Sequence, residues 1–282
     1  MDLVVFLAVL AAAAFHAGWN VLVKLKVEPL LAICLISTAC GIVILPFAAF
    51  VGMPAPASWP FILASLAIHL VYYTALAEAY RLGDLGQVYP IARGSAPLMT
   101  AIGAQLLFGE HLSAGAWAGV SVLAAGILLL ALRGGRALAQ FNGRSVAFAL
   151  LTALSIASYT LVDGRGARVS GAVGGYIVWL FVLDGVLMLA FGIWWYGVAP
   201  MLAVGRTSWL LVIGGGALST ASYAIAIWAM TVAPIALVAA VRESSVLFAG
   251  LLAIVMLKEP IVPLRIISAL IVMVGLVLIR LN

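Results

Sequence analysis

Long apolar runs follow one another along the whole chain and are separated by short polar breaks. A transmembrane helix needs about 20 apolar residues, whereas a strand of a membrane barrel would be about ten residues of strict alternation. The pattern therefore predicts an all-α membrane protein rather than a barrel. Ten transmembrane helices are predicted, at residues 3–23, 29–51, 59–80, 87–108, 113–132, 145–163, 172–196, 208–230, 235–257 and 262–280.

The composition indicates that this chain is dissolved in lipid. Hydrophobic residues make up 66% of the 282 residues and charged residues 8%, whereas a soluble domain carries roughly 25% charged residues. So few charges cannot cover a water-exposed surface, and a multi-pass protein of the lipid bilayer is predicted. The only charge before the first run is Asp2. That run therefore lacks the basic segment of a cleaved signal peptide and is interpreted as a retained span.

The positive charges predict an orientation and not a nucleic-acid partner, because most of them lie in short connections between spans. Since ten is even, both termini lie on one side of the membrane. The connections after odd-numbered spans hold nine basic residues: Lys24, Lys26, Arg81, Arg133, Arg136, Arg144, Arg206, Lys258 and Arg265. The other side holds three, which are Arg165, Arg168 and Arg280. The positive-inside rule then places both termini outside the cytoplasm.

The two halves of the sequence match each other. A shift of 149 residues, the separation of Arg93 and Arg242, also places Glu259 on Glu110. Two charged matches inside an apolar pattern indicate an internal repeat. We assign a first repeat to residues 1–133, a linker to 134–144 and a second repeat to 145–282.

Each repeat contains five predicted spans, which is an odd number. The second repeat must therefore enter the bilayer upside down relative to the first. Such inverted repeats are typical of secondary transporters, in which the substrate site lies near the midplane between the halves. The sequence thus predicts two inverted five-helix repeats and a site at their interface. We further expect the halves to superpose about a pseudo-two-fold axis in the membrane plane, with Arg93 and Arg242 on equivalent turns.

Four motifs carry a resemblance to a known family. They are His16-Ala17-Gly18-Trp19-Asn20, Tyr89-Pro90-Ile91-Ala92-Arg93, Phe108-Gly109-Glu110 and Leu257-Lys258-Glu259. With these motifs the chain resembles the drug/metabolite transporter superfamily, EamA type, over essentially its whole length. The resemblance implies a secondary active transporter, a permease or an exporter, of a small polar metabolite in the cell inner membrane. Since that superfamily handles amino acids, other metabolites, nucleotide sugars and drugs, the resemblance does not select a substrate.

Charged residues inside predicted spans are the first candidates for substrate binding, because a central charge in a bilayer costs about 2.5–3.5 kcal/mol or more. Arg93 and Arg242 either form structural pairs with carboxylates or carbonyls, or bind an anionic group of the substrate through their planar donors. Glu243 follows Arg242 directly and points about 100° away from it. Its candidate partner is Arg93 across the repeat interface, and a proton-coupling role is the alternative.

Further candidates are polar and aromatic residues on other spans. His16, Trp19 and Asn20 share a face of the first span, and Tyr72, Tyr159 and Tyr223 lie on the third, sixth and eighth spans. All of them either line a cavity or pack within the bundle. The family resemblance suggests a cavity walled by spans one, three, four, six, eight and nine. The predicted substrate-binding set is His16, Trp19, Asn20, Tyr72, Arg93, Tyr159, Tyr223, Arg242 and Glu243.

Other polar positions have local interpretations. Glu78 and Arg81 are three residues apart and are expected to form an ion pair. Asp163 is expected at the interface beside Arg165, whereas Asp184 is either a buried acceptor or a proton site. The small-residue pair formed by Gly115 and Gly119 predicts close helix packing. Spans five and ten are accordingly interpreted as a scaffold or as the surface of a homodimer.

Sequence motifs of enzymes are absent. There is no Gly-rich phosphate loop, metal-ligand spacing or nucleophile elbow, so neither an enzymatic activity nor a cofactor or metal is expected. Without a domain for ATP hydrolysis, transport would be driven by a coupling proton or a counter-solute. A membrane-embedded enzyme and a non-transporting scaffold are the alternative functions.

Overall fold

The computed structural model describes residues 1–23, 28–83, 85–132, 142–258 and 262–282, and all regular structure in these ranges is helical. Within these ranges, 3₁₀ turns lie at Leu45–Ala49, Pro56–Ser58 and Leu130–Leu132. The α-helices of the described ranges are α1 (Leu3–Val23), α2 (Pro29–Ile44), α3 (Trp59–Leu82), α4 (Leu85–Phe108), α5 (Ala114–Leu129), α6 (Gly143–Val169), α7 (Val173–Tyr196), α8 (Val198–Thr207), α9 (Trp209–Val232), α10 (Ile235–Arg242), α11 (Ser245–Leu257) and α12 (Pro263–Leu281).

Polar caps fix the starts of several helices. The Glu28 carboxylate accepts a hydrogen bond from Leu31 N at 2.8 Å, and Pro29 opens α2. Ser113 Oγ accepts one from Ala116 N at 3.0 Å at the start of α5. Because the first amides of a helix have no partner within it, an acceptor here and a proline at the first position both favour initiation.

Eight segments of the described chain are long and apolar enough to cross a membrane: Leu3–Asn20, Pro29–Ala49, Pro56–Leu82, Gly143–Val169, Val173–Tyr196, Trp209–Val232, Ile235–Val255 and Pro263–Leu281. Large apolar side chains remain exposed on the outside of the bundle, and those of Val4, Leu106 and Trp194 are 68–78% exposed. Such side chains would be unfavourable in water over so many helices. The protein is therefore a multi-pass membrane protein.

Several helix boundaries differ from the predicted spans. The α2 helix ends at Ile44 because Pro46 cannot continue the hydrogen-bond ladder, and a 3₁₀ turn completes the predicted span only as far as Ala49. The predicted ninth span is two helices, α10 and α11, with a break at Glu243 and Ser244. The short α8, before the eighth predicted span, was not predicted at all. The predicted linker 134–144 lies mostly outside the described residues.

The helix contacts join the first half of the chain to the second. The α3 helix packs on α6, and α1 packs on α9. Likewise α4 packs on α6, and α1 packs on α10 and α11. In the predicted repeat, α1 corresponds to α6, α3 to α9, and α4 to α10 and α11. The contact of α3 with α6 is therefore equivalent to that of α9 with α1, and the contact of α4 with α6 is equivalent to that of α10 and α11 with α1. Two further contacts, α2 with α7 and α5 with α12, join counterparts directly.

These counterpart helices run antiparallel. Along α5, Gly119 faces Ile279 and Gly126 faces Val272 of α12, so rising numbers in one helix meet falling numbers in the other. The α2 and α7 helices show the same order, with Cys34 facing Gly192 and Gly41 facing Gly185. The predicted close packing at Gly115 and Gly119 is thereby confirmed, and its partner is α12 of the same chain.

Candidate functional site

A cavity of about 150 Å³ lies between the two halves. Side chains from α1, α3, α4, α6, α9 and α10 line it, and α2 and α7 add two walls that were not expected. The structure brings eight of the nine predicted residues to its surface: His16, Trp19, Asn20, Tyr72, Arg93, Tyr159, Tyr223 and Arg242. The ninth, Glu243, lies behind the wall and is 2% exposed.

A buried carboxylate joins the two arginines. Arg93 Nη1 donates a hydrogen bond to Glu243 Oε1 at 3.1 Å, and Arg242 Nη2 lies 4.0 Å from the same oxygen. The predicted pairing of Glu243 with Arg93 across the repeat interface is confirmed. The break after α10 matters here, because it ends the helix at Arg242 and leaves Glu243 free to point at α4. Two positive charges and one negative charge then remain in this cluster.

The two arginines differ in the number of hydrogen bonds that their guanidinium groups form with the described residues. The Arg93 guanidinium binds Glu243 and also contacts His16 Nε2. By contrast, the residues that the structure describes form no hydrogen bond with the Arg242 guanidinium. The buried Nε of both arginines has no partner among them. The Arg242 Cζ atom lies 5.2 Å from the centre of the Tyr223 ring, a cation–π contact. Arg242 is therefore a charged donor facing the cavity.

Two donors approach the His16 ring. Arg93 approaches His16 Nε2, and Trp19 Nε1 lies 3.3 Å from His16 Nδ1. A neutral imidazole has one acceptor nitrogen and one N–H, so it can accept from only one of these donors. The charged guanidinium is the stronger donor. Among the described residues the Trp19 indole N–H therefore competes with Arg93 for His16, and Trp19 also lines the cavity.

An aromatic cluster forms the middle of the cavity wall. The His69 ring stacks on Tyr159 at 4.3 Å between centroids, and Tyr159 meets Tyr72 at 5.7 Å and Tyr223 at 5.8 Å. His69 was missed from the sequence. Its signal was the spacing to Tyr72 and Tyr73, since residues three and four apart share one face of a helix.

Asp184 lies at another wall of the same cavity, on α7. Its Oδ2 accepts a hydrogen bond from the Tyr73 hydroxyl at 3.3 Å, and that hydroxyl is 3.2 Å from Ser37 Oγ. Its Oδ1 is buried and has no hydrogen-bond partner in the described ranges. No Lys or Arg side chain of the described residues forms an ion pair with Asp184. It is thus a buried acid with unused acceptor capacity.

Asp163 is fully buried, so its predicted interfacial position is wrong. The reason is that α6 continues to Val169, beyond the predicted end at residue 163. The Asp163 carboxylate accepts hydrogen bonds from the Tyr223 hydroxyl at 2.5 Å and the Tyr176 hydroxyl at 2.9 Å. It thereby fixes the orientation of a cavity-lining tyrosine from behind.

A polar junction closes the bundle away from the cavity. Arg168 Nη1 pairs with Glu110 Oε1 at 2.7 Å, and Glu110 Oε2 accepts a hydrogen bond from Ile235 N at 2.9 Å at the start of α10. Glu110 belongs to the first half, whereas Arg168 and Ile235 belong to the second. Glu259, its predicted repeat partner, lies outside the described residues. The predicted ion pair between Glu78 and Arg81 is confirmed at 2.6 Å on the exposed end of α3.

The fold and the cavity place the protein among helical membrane proteins whose two halves enclose a chamber lined by charged, aromatic and apolar side chains. The chain belongs to the EamA-like transporter family, whose model matches residues 3–132 and again residues 143–281. Each half therefore carries one copy of the family unit, and the resemblance to the drug/metabolite transporter superfamily is confirmed. The family is one of membrane transporters, not of enzymes.

Comparison with solved structures supports the fold. A chain described as "Crystal structure of protein" has a TM-score of 0.78 and 20% sequence identity, with 99% of this chain and 96% of that chain covered. At this identity the likeness establishes the fold alone. No curated protein matches the chain at a significant level.

Proposed function

We propose that this protein is a secondary active transporter that moves a small polar solute with an anionic group across the cell inner membrane by alternating access. Ten spans form two inverted five-helix repeats, residues 1–133 and 145–282, joined by the linker 134–144. The antiparallel contacts of α5 with α12 and of α2 with α7 support the inversion, because counterparts in an inverted repeat run in opposite directions.

The observation that carries this proposal is Arg242. It is 4% exposed, lies inside a membrane bundle and lines a cavity between the halves. A charge in such a place is costly, and no hydrogen bond from the described part of the chain offsets that cost. A bound anion would do so, because the guanidinium offers paired donors that match a carboxylate or a phosphate-type group.

The remaining predicted residues have distinct roles in this proposal. Arg93 and Glu243 form the charged support beside Arg242, and His16 holds Arg93 from the other side. Trp19 and Asn20 supply polar groups to the solute, and Tyr72, Tyr159 and Tyr223 form its side walls. The single chain is the transporting unit, because its own helices surround the cavity. The driving force is a coupling proton or an exchanged counter-solute.

Counterflow in proteoliposomes tests the function. Vesicles loaded with amino acids, organic acids or phosphorylated compounds are diluted into trace radiolabelled solute, and accumulation is measured. The wild-type protein should accumulate at least one anionic solute. Arg242→Lys should weaken uptake, because the ammonium keeps the charge but loses the paired donors, and Arg242→Leu should abolish it.

A matched control is Arg81→Leu, which removes an exposed arginine outside the cavity and should leave counterflow intact. Each variant is first checked for folding by thermal unfolding. A folded Arg242→Leu protein with unchanged affinity for the solute would remove Arg242 from the site. Failure of the wild-type protein to move any of the compounds would contradict the transporter itself.

A further inference from the structure

The cavity reaches one end of the bundle and stops short of the other. Three of its lining residues, Pro29, Tyr80 and Tyr89, lie within about one helical turn of the α1–α2 and α3–α4 connections. Among the described residues, α6 adds no lining side chain after Tyr159, and α10 adds none before Arg242. We call the end with the α1–α2 and α3–α4 connections the open face, and the end with the α2–α3, α4–α5, α6–α7 and α9–α10 connections the sealed face.

Packed apolar side chains fill the sealed face. Ile62 of α3 and Ile235 of α10 are fully buried there. Glycines allow the helices to approach closely, since a Cβ atom at Gly103 of α4 would come within 2.5 Å of Leu161 Cδ1. A Cβ atom at Gly164 of α6 would likewise come within 2.6 Å of Ile235 Cδ1. A solute in the cavity is therefore separated from the sealed face by side chains in direct contact.

Polar contacts join the connections of the sealed face. Arg168, at the end of α6, pairs with Glu110 at 2.7 Å. Its other nitrogens donate to the carbonyl oxygens of Met230 and Ala233 at 2.8 and 3.0 Å, where α9 ends. Glu110 in turn accepts a hydrogen bond from Ile235 N at 2.9 Å, where α10 begins. The α4–α5 connection is thereby fixed to α6, α9 and α10 at once.

We propose that Glu110 and Arg168 form a latch that holds the sealed face closed, and that α6 must separate here from α9 and α10 before the cavity can open to that face. The inference rests on the proposed alternating-access transport. It identifies the part of the protein that moves when the solute is passed from one side of the membrane to the other.

The partial burial of this pair suits a contact that breaks and forms again. The side chains of Arg168 and Glu110 are 27% and 12% exposed, whereas those of Arg93 and Glu243 are 4% and 2% exposed. Separating a fully buried pair leaves each charge without solvent, which is costly. Water can reach the Glu110–Arg168 pair and replace either partner, so the latch can open at a lower cost in free energy.

The internal repeat indicates that these contacts belong to one access state. In the predicted repeat, the pair α6 and α9 corresponds to the pair α1 and α3. The first pair is packed together, whereas α1 and α3 show no comparable packing in the described residues, and side chains of both line the cavity. Alternating access in an inverted repeat rocks the halves about a fixed site. The other state should therefore bring α1 onto α3 and separate α6 from α9.

Labelling of a buried cysteine tests the latch without any solute. Ile235→Cys places a thiol in the sealed face, and a bulky, water-soluble maleimide should react with it only when that face opens. Adding Glu110→Gln should increase the labelling rate at least tenfold, because a neutral amide cannot form the ion pair with Arg168. Reaction of the native Cys34 and Cys40, which are both buried, is measured in the wild-type protein and subtracted.

The matched control for labelling is Glu78→Gln, which makes the same acid-to-amide change in the exposed ion pair with Arg81. It should leave the labelling of Ile235→Cys unchanged. Equal labelling rates for the Glu110→Gln and Glu78→Gln proteins would overturn the inference, because the sealed face would then open independently of the latch.

A disulfide across the sealed face tests the motion directly. A Cβ atom at Gly164 would lie 2.9 Å from Ile235 Cγ1, so Gly164→Cys and Ile235→Cys together place two thiols within bridging distance. The oxidised protein should lose counterflow of amino acids, organic acids and phosphorylated compounds at least tenfold. Reduction of the disulfide should restore it.

A bridge between α2 and α7 is the matched control for the disulfide. A Cβ atom at Gly192 would lie 3.1 Å from the Cβ atom of the native Cys34, so Gly192→Cys alone allows a disulfide. Because α2 and α7 are counterparts of each other, an exchange of arrangements between the halves leaves this pair in contact. The oxidised control should therefore keep its counterflow.

Two results of bridging would overturn the inference and leave the proposed function standing. Counterflow by the bridged Gly164→Cys/Ile235→Cys protein at the rate of its reduced form would show that α6 need not separate from α10. Equal loss in both bridged proteins would show that the effect does not belong to the sealed face. If one variant does not fold, the other experiment decides. Absence of counterflow by the wild-type protein for every compound would contradict the function instead, and labelling would still test the latch.

Discussion

Arg93 and Arg242 align with each other in the predicted repeat, yet they depend differently on the carboxylate between them. Glu243 is hydrogen-bonded to Arg93 and only approached by Arg242. Removing one partner of a buried ion pair leaves an uncompensated charge, which costs about 3–5 kcal/mol. The two arginines should therefore differ in their contributions to stability.

Arg93→Leu should lower the free energy of unfolding by about 3–5 kcal/mol, because it strands Glu243. Arg242→Leu should cost little or even stabilise the fold, because Glu243 keeps its bond to Arg93 and one buried charge is removed. Thermal or denaturant unfolding of the two purified variants in detergent measures the difference. Equal destabilisation by both would mean that Arg242 is as much a structural partner as Arg93.

At the scale of single residues, candidate binding residues were identified from the free-energy cost of burying a charged side chain in a span. For Arg93 and Glu243 that argument is confirmed by their ion pair, whereas a ligand for Arg242 stays a prediction. It failed for His69, because a single histidine does not interrupt the apolar pattern. It also failed for Asp163, because three more polar residues follow it and imitate the end of a span.

Among the helices, α5 and α12 pack closely against each other. Gly119 of α5 lies against the backbone of α12, and a Cβ atom there would come within 2.8 Å of Ile279 N. A backbone atom cannot move aside as the end of a flexible side chain can. By contrast, a Cβ atom at Gly214 of α9 would meet nothing within 4 Å.

Gly119→Val should therefore lower stability by about 1–3 kcal/mol or more through overpacking. Gly214→Ala is the matched control and should be neutral or slightly stabilising, since alanine favours helix more than glycine does. Unfolding temperatures of both proteins in one detergent compare them directly. A Gly119→Val protein as stable as the wild type would show that α5 and α12 can separate without loss.

Helix positions were largely predictable because apolar length and caps mark them. The starts at Pro29 and Ser113 follow directly from cap chemistry. Breaks inside apolar runs were not predictable in the same way. The end of α10 at Arg242 accompanies the contact of Glu243 with Arg93 of α4, which is a tertiary contact. The α8 helix is ten residues long, too short for a span, so hydropathy alone gave it no signal.

Across the whole molecule, the halves are interleaved. The contacts α1 with α9, α3 with α6, and α5 with α12 all cross between them. The repeat was predictable from the matched charges. The interleaving of the halves was not, because it depends on how the helix surfaces fit together. The superposition of the halves, with Arg93 and Arg242 on equivalent turns, stays a prediction.

The orientation in the membrane also stays a prediction, and reporter fusions test it. With nine basic residues after odd-numbered spans and three on the other side, both termini should lie outside the cytoplasm. A reporter active only outside the cytoplasm should work when fused at Asn282, and a cytoplasmic reporter should work at Arg206. Activity at Asn282 from the cytoplasmic reporter alone would reverse the assignment.

The ion pair between Arg93 and Glu243 also affects how the chain is inserted during synthesis. Its two partners are 150 residues apart in the chain. Ribosomes add about 5–20 residues per second, so Arg93 is synthesised roughly 8–30 s before Glu243. During that interval the first half must hold a cation in or near lipid without its counter-charge. During biogenesis the Arg93 charge must therefore be shielded from lipid, by the insertion machinery or by water, until Glu243 is synthesised and inserted.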